Sequence, residues 1–373
     1  MKSFKKVMAV VFAAVLAMSC FAGCGNDAKG KFFIGATGPL TGDAAQYGVA
    51  VERGAKLAVE EINAAGGLNG IQFYFDMKDD KATAADASSA FDALMDAGMQ
   101  ISLGSVTSGS CKAFGQKAAE EKVFFMTPSA SEEAIITASE YAFRVCFGDP
   151  DQGTLAAQEI AKNFTMVGCI YDNSSSYSSG IFDAFAAEMK KIGMDFIAMT
   201  FDGDSNKDFS TQAEALKDCD VIFLPIYYTE AGLIAKACTA KGCNAVLFGC
   251  DGLDGIDSQI DATIKNTIKY ITPFDLNSTD AFVAAFVKNF KAKYGVDPDQ
   301  FAADGYDAVY AIYNAMKNAG VKDADITPAD LSKAVIDAIT AASFKYNGCT
   351  GAMTWDKTGA CTKEPVIVEL NNK

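Results

Sequence analysis

Histidine is absent from all 373 residues, which removes the commonest general base, the usual activator of a serine or cysteine nucleophile and the commonest metal ligand. There is no G-x-x-x-x-G-K-[ST] loop to cradle a nucleotide and no C-x-x-C pair to hold zinc. Tryptophan occurs once, at Trp355, so a sugar site built on stacked indole rings is disfavoured. Long runs of like charge are missing as well. The 32 basic and 47 acidic residues give a net charge of −15 that is spread along the chain, which argues against a nucleic-acid partner. Together these absences exclude the ordinary enzyme classes, and neither a metal nor a cofactor is expected.

Half of the residues are apolar, enough for a large core and more than one domain. No low-complexity linker divides them, so two domains would be joined by short ordered crossings. At the start, Lys2, Lys5 and Lys6 precede the apolar run Val7 to Met18, which has the proportions of a secretory signal and falls short of the roughly 20 residues of a membrane span. The next stretch, "FAGCGN" (21–26), is similar to the lipobox of bacterial lipoproteins, with Phe21 where leucine is usual. That similarity implies a signal peptide of residues 1–23, cleavage before Cys24, lipidation of its thiol and a short tether over 24–30. Cys20 is a weaker candidate for the same role. Eleven cysteines in an exported chain invite a disulfide framework, yet Cys146, Cys169, Cys219, Cys238 and Cys250 stand in apolar contexts where the thiol acts as a small hydrophobe. Cys349 and Cys361 flank an expected hairpin, and their spacing leaves a bridge between them open.

Further on, the runs "KFFIGA", "IQFYF", "QISLG", "KVFFM", "MVGCIY", "DFIAMTF", "DVIFLP" and "NAVLFG" are spaced so that most leave room for a helix between them, the pattern of parallel α/β sheets. Val51, Ala55, Ala58, Val59 and Ile62 share one helical face, which the glycines of "GGLNG" (66–70) should end. A second helix near 180–192 should bury Phe182, Phe185, Met189 and Ile192. In such folds ligands sit beyond the carboxyl ends of the strands, where helices begin. The stretch "LGSVTSGSC" (103–111) fits that place, with Thr107, Ser108 and Ser110 around Gly109. Without a base, hydroxyls beside the N–H groups of a helix start are donors to an anion rather than nucleophiles.

The segment "IGATGPLTGDAAQYGVAVERGAKLAVEEINAAGGLNG" (34–70) resembles the opening of the periplasmic leucine/isoleucine/valine-binding proteins of ABC importers. The stretches "GSVTSG", "TPSAS", "FRVCFGDPDQG", "YDNSSSYSSG", "PIYYTEAG", "FGCDGLD" and "GAMTWDKTG" follow in that family's order, so the resemblance covers residues 31–370. It implies two doubly wound α/β lobes joined by a hinge of three crossings near Asp149, Pro273 and Tyr346. Lobe one would be 31–149 with 277–345, and lobe two 150–276 with 346–373.

The resemblance also implies a binding site. Ser108 and Ser131 would grip a ligand α-carboxylate, aided by backbone at Val106, Ser129 and Ala130. Asp251, beside Tyr177, would hold the ammonium, and Tyr47, Tyr227 and Thr107 would line the side-chain pocket, with Asp149 and Phe274 as outer candidates. Thr107 stands where familiar members have cysteine. On residue type alone, Ser108 and Ser131 could equally cap helices, Asp251 and Asp149 could be turn residues, and Tyr228 could pack or touch ligand. The expected function is an extracytoplasmic, lipid-anchored, monomeric capture protein that closes over an amino acid, most plausibly branched-chain, and hands it to ABC permease and ATPase subunits. A sensory lipoprotein of the same fold, or a binder of another small amino acid, an amide or urea, is the alternative.

Overall fold

A computed structural model describes residues 28–203 and 207–370, so the leader, Cys20 and the lipidation candidate Cys24 lie outside the described residues. The first lobe begins with β1 (Phe32–Gly38), α1 (Ala45–Ala64), β2 (Phe73–Asp79), α2 (Ala84–Asp96), β3 (Ile101–Ser102), α3 (Ser108–Glu121), β4 (Phe125–Thr127), α4 (Glu133–Thr137) and β5 (Ala142–Arg144). Its strands form one parallel sheet in the order β2-β1-β3-β4-β5. Every residue of β1 is buried, as expected of a strand covered on both faces by helices.

The second lobe runs through α5 (Asp149–Asn163), β6 (Val167–Asp172), α6 (Ser176–Ile192), β7 (Ile197–Phe201), α7 (Ser210–Ala215), β8 (Val221–Leu224), α8 (Tyr228–Lys241), β9 (Val246–Gly249) and β10 (Ile268–Thr272). The chain then returns to the first lobe as α9 (Ala281–Tyr294), α10 (Gln300–Asn318) and α11 (Pro328–Ile339), followed by the hairpin β11 (Tyr346–Gly348) and β12 (Gly351–Met353). The last strand, β13 (Val366–Leu370), adds antiparallel to β10, giving a second sheet ordered β13-β10-β9-β8-β6-β7.

Local chemistry explains the elements. Val51, Ala55, Ala58, Val59 and Ile62 are buried along α1, each large one contributing about 1.5–3 kcal/mol of transfer free energy. The helix ends where Gly67, at φ +70°, donates its N–H to Ile62 O. The α1 and α10 backbones meet at a glycine: a Cβ on Gly54 would lie 1.9 Å from Ala302 O. That close approach fixes the start of α10 over the cleft. In α6, Phe185 and Met189 are buried as expected, together with Ile181; Phe182 is half-buried, and Ile192, in the last turn, is 43% exposed rather than buried.

Passages between the lobes follow β5 and β10, around Phe147 and Pro273. The third differs from the expectation near Tyr346. Residues 346–361 stay on the first lobe because buried Asp307 of α10 accepts from Tyr346 Oη, Cys349 N, Thr350 N and Thr350 Oγ1 at 2.6–2.9 Å. Trp355 Nε1 donates to Arg144 O (2.7 Å), and Arg144 N donates to Gly359 O. A buried carboxylate needs donors, and this hairpin supplies them. The crossing therefore lies between Thr362 and β13. Cys349 and Cys361 are free thiols, so the bridge left open by their spacing is not formed; the other seven described cysteines are also free.

Candidate functional site

The carboxyl ends of both sheets face one narrow cleft, lined by Tyr47, Val106, Thr107, Ser108, Ser129, Tyr177, Tyr227, Asp251, Gly252 and Phe301. Eight of these were expected from sequence. The free space left in it is only about 10 Å³, about that of one water, so the cleft is closed.

One pole of the cleft is the start of α3. Thr107 is its N-cap in extended conformation, but no side chain caps the helix, and Thr107 Oγ1 is buried without a partner. Ser108 is the first helical residue; its Oγ accepts only a long 3.4 Å contact from Glu132 N. The hydroxyls that could have capped are thus uncommitted, and the free N–H groups of the first turn add positive potential. This pole suits an anion. Ser131 is not a cap either, since Glu132 holds that position in α4; its Oγ is buried, unpartnered and beside the Asp149 carboxyl. Ala130 is not among the lining residues, and its N–H is spent on Thr127 Oγ1 (2.9 Å).

The opposite pole is acidic. Asp251 follows β9, is 4% exposed and accepts from Tyr177 Oη at 2.7 Å, while its own N–H donates to Gln152 Oε1 (3.0 Å). Burial lifts its carboxyl to about 6, against the lowering hydrogen bonds from Tyr177 and Gln152. Asp149, at the start of α5, is 2% exposed, and neither carboxyl oxygen has a hydrogen-bond partner. Burial pushes it well above the usual carboxylate range, and Asp251 adds to the push. Asp251 lines the cleft and can meet a cation there, whereas Asp149 and the neighbouring Ser131 are not among the lining residues.

Aromatic rings close the sides. Tyr47 from α1 meets Phe301 at 4.4 Å between centroids and Tyr227 edge-on at 5.3 Å, and Tyr177 stacks on Tyr227 at 4.9 Å. Tyr228 packs instead of lining: it is 4% exposed and donates through Oη to Asp43 O (2.7 Å). Phe274 lies away from the cleft, packed against Phe286 at 6.1 Å. The sequence reading missed Gly252 and Phe301. Gly252 is needed because a Cβ there would sit 2.6 Å from Tyr177 Oη and 2.8 Å from Ile226 O. Phe301 carries no motif; only its place in the first turn of a helix marks it.

Comparison with known proteins agrees with this geometry. The family described as periplasmic binding protein matches residues 31–373. The Leu/Ile/Val-binding protein homolog 3 of Brucella melitensis is 28% identical over 363 residues, covering 96% of this chain and 94% of its own. The branched-chain amino acid transporter substrate-binding protein LivJ of Streptococcus pneumoniae, solved with isoleucine, superposes with a TM-score of 0.82 at 30% identity over 92% of this chain and 97% of that one. A solute-binding protein of R. palustris in complex with benzoate shares the fold, with a TM-score of 0.80 at 21% identity over 92% and 94% of the two chains. With a cleft between two parallel-sheet lobes and a family match that spans both, the chain belongs to the periplasmic binding proteins.

Proposed function

We propose that this protein captures an α-amino acid, with leucine, isoleucine or valine favoured, by closing its two lobes over it and presenting it to an ABC permease. The observation that carries the reading is the pair of poles in one cleft: the uncapped start of α3 with Thr107 and Ser108, and the buried acid Asp251. A zwitterion matches both, its carboxylate at the helix start and its ammonium at Asp251. The aromatic walls of Tyr47, Tyr227 and Phe301 favour an apolar side chain. Isoleucine in the pneumococcal relative supports the same class. Cys24 anchors the monomer to the membrane through lipid, which places capture outside the cytoplasm. Calorimetry with the twenty amino acids, simple amides, urea, sugars and benzoate tests the reading; selective binding of amides or benzoate with no amino acid bound would replace it.

A further inference from the structure

Lys363 sits in the third passage between the lobes, and its side chain is wholly buried. Its Nζ lies 2.7 Å from Asp304 Oδ1, and this ion pair alone among those described has both side chains inside, at 0% and 2% exposure. Asp304 occupies α10 one turn after Gln300 and Phe301; Gln300 Nε2 donates to Asp251 O (3.0 Å), and Phe301 lines the cleft. Asp307, the next acid on the same helix, is satisfied by the hairpin, which leaves Asp304 as the carboxylate that needs a cation. Lys363 borders a hinge cavity together with Phe147 of the first passage and Ile271 at the second, so all three passages meet at that cavity. A buried ion pair adds little net stability, but it fixes geometry, because removing one partner strands the other charge.

We propose that Lys363 is a positioning residue for ligand capture: held by Asp304, it pins the third passage to α10, whose first turn supports Asp251 through Gln300 and lines the cleft through Phe301. The groups facing Lys363 are Asp304 and Asp307 from α10 and the Cys361 thiol of its own segment, which burial pushes up to about 12 and keeps neutral. The titratable groups whose charges interact with Asp251 are Tyr177 from α6, Asp149 from α5, Tyr47 from α1, Tyr227 at the start of α8, the Cys146 and Cys250 thiols, and Asp304 and Lys363. Arg144 of β5 is committed to Ser131 O and Glu133. Against this excess of acids, the lysine favours the ionised form of Asp251, the form that an ammonium ligand needs.

The capture role rests on the amino-acid reading above, so the test has one arm that needs no ligand. Carbon-13 NMR titration of the aspartate side chains follows Asp251 in the wild type, in Lys363→Met, which keeps the stem and deletes the charge, and in Lys363→Arg, which keeps the charge. The Asp251 midpoint should rise by about one pH unit in Lys363→Met and stay near wild type in Lys363→Arg. Asp304→Asn, which frees the lysine from its anion, should move it the other way. In the second arm, calorimetry with leucine should show Lys363→Met binding about tenfold more weakly at pH 6.5, the gap closing to about threefold or less at pH 8.5. A merely structural lysine would weaken binding by the same factor at both. An unmoved Asp251 midpoint in folded Lys363→Met, or shifts of one sign in both Lys363→Met and Asp304→Asn, overturns the proposal. Wild-type protein that binds no amino acid overturns the functional reading instead, and the NMR arm still decides this one.

Discussion

Tyr47 of the first lobe and Gly252 of the second are joined by a hydrogen bond from the phenol to the glycine carbonyl, and the same phenol oxygen accepts from Tyr228 N at 3.1 Å. One ring thus lines the cleft and latches it. Tyr47→Phe keeps the wall and removes the latch, leaving a buried carbonyl and a buried N–H unpaired at about 1–3 kcal/mol each when closed. Affinity should fall by about tenfold or more, mainly through faster ligand release in stopped-flow traces. Compaction on ligand addition, read by small-angle scattering, should also shrink.

Asp251→Asn keeps size and the turn but removes the charge. If the carboxylate holds the ligand ammonium, the loss is roughly 2–5 kcal/mol, or about thirtyfold or more in Kd by calorimetry. Circular dichroism should remain native. A change below about threefold would leave Asp251 as a structural residue.

The same carboxyl gives a pH profile. Because burial holds it at about 6 against an unfolded value near 4, the ligand-free fold loses stability as pH climbs through that interval. A bound ammonium reverses the sense by favouring the ionised form. Affinity should therefore be flat above about pH 7, fall as pH drops through about 6, and lose this dependence in Asp251→Asn.

Ser108→Ala tests the anionic pole. Since Ser108 Oγ does not cap α3, thermal stability should stay within about 0.5 kcal/mol of wild type, as for a neutral substitution. Ligand affinity should drop by about ten- to 150-fold, the value of one hydrogen bond to a charged group. A lowered melting temperature with unchanged affinity would assign the serine to the helix.

Cys24→Ala addresses the anchor. One acyl chain binds a membrane marginally and two bind stably, so if Cys24 carries the proposed lipid its loss should move the protein from the detergent phase to the aqueous phase. No shift would transfer the role to Cys20 or remove it.

Much of this was legible in the residues because parallel strands buried on both faces write themselves as apolar runs, as in "KFFIGA" and "DVIFLP". Thr107 and Ser108 could be placed near a ligand because strand-to-helix turns converge at one sheet edge, whereas Tyr177 and Asp251 were joined to them only by the resemblance to the leucine/isoleucine/valine-binding proteins. β10 was harder to read, since Lys269 and Thr272 interrupt its apolar character. Ile192 was misplaced because periodicity does not show where a helix outruns its neighbours. The third passage and Phe301 depend on a buried carboxylate, Asp307, and on a helix crossing, Gly54 against Ala302, that join residues far apart in sequence. Such partners leave no local pattern.

The Gly54 crossing also sets an order of assembly. The sheet of the first lobe is complete at β5, yet the helix that covers α1 is made only after the whole second lobe. A nascent chain must therefore carry the face of α1 around Gly54 and the Val51 backbone uncovered until residues 302 to 305 have emerged. Distant contacts of this kind slow folding. The first half of the polypeptide stays unfinished while the remainder is synthesised, the condition in which a chain can still be threaded through a narrow pore.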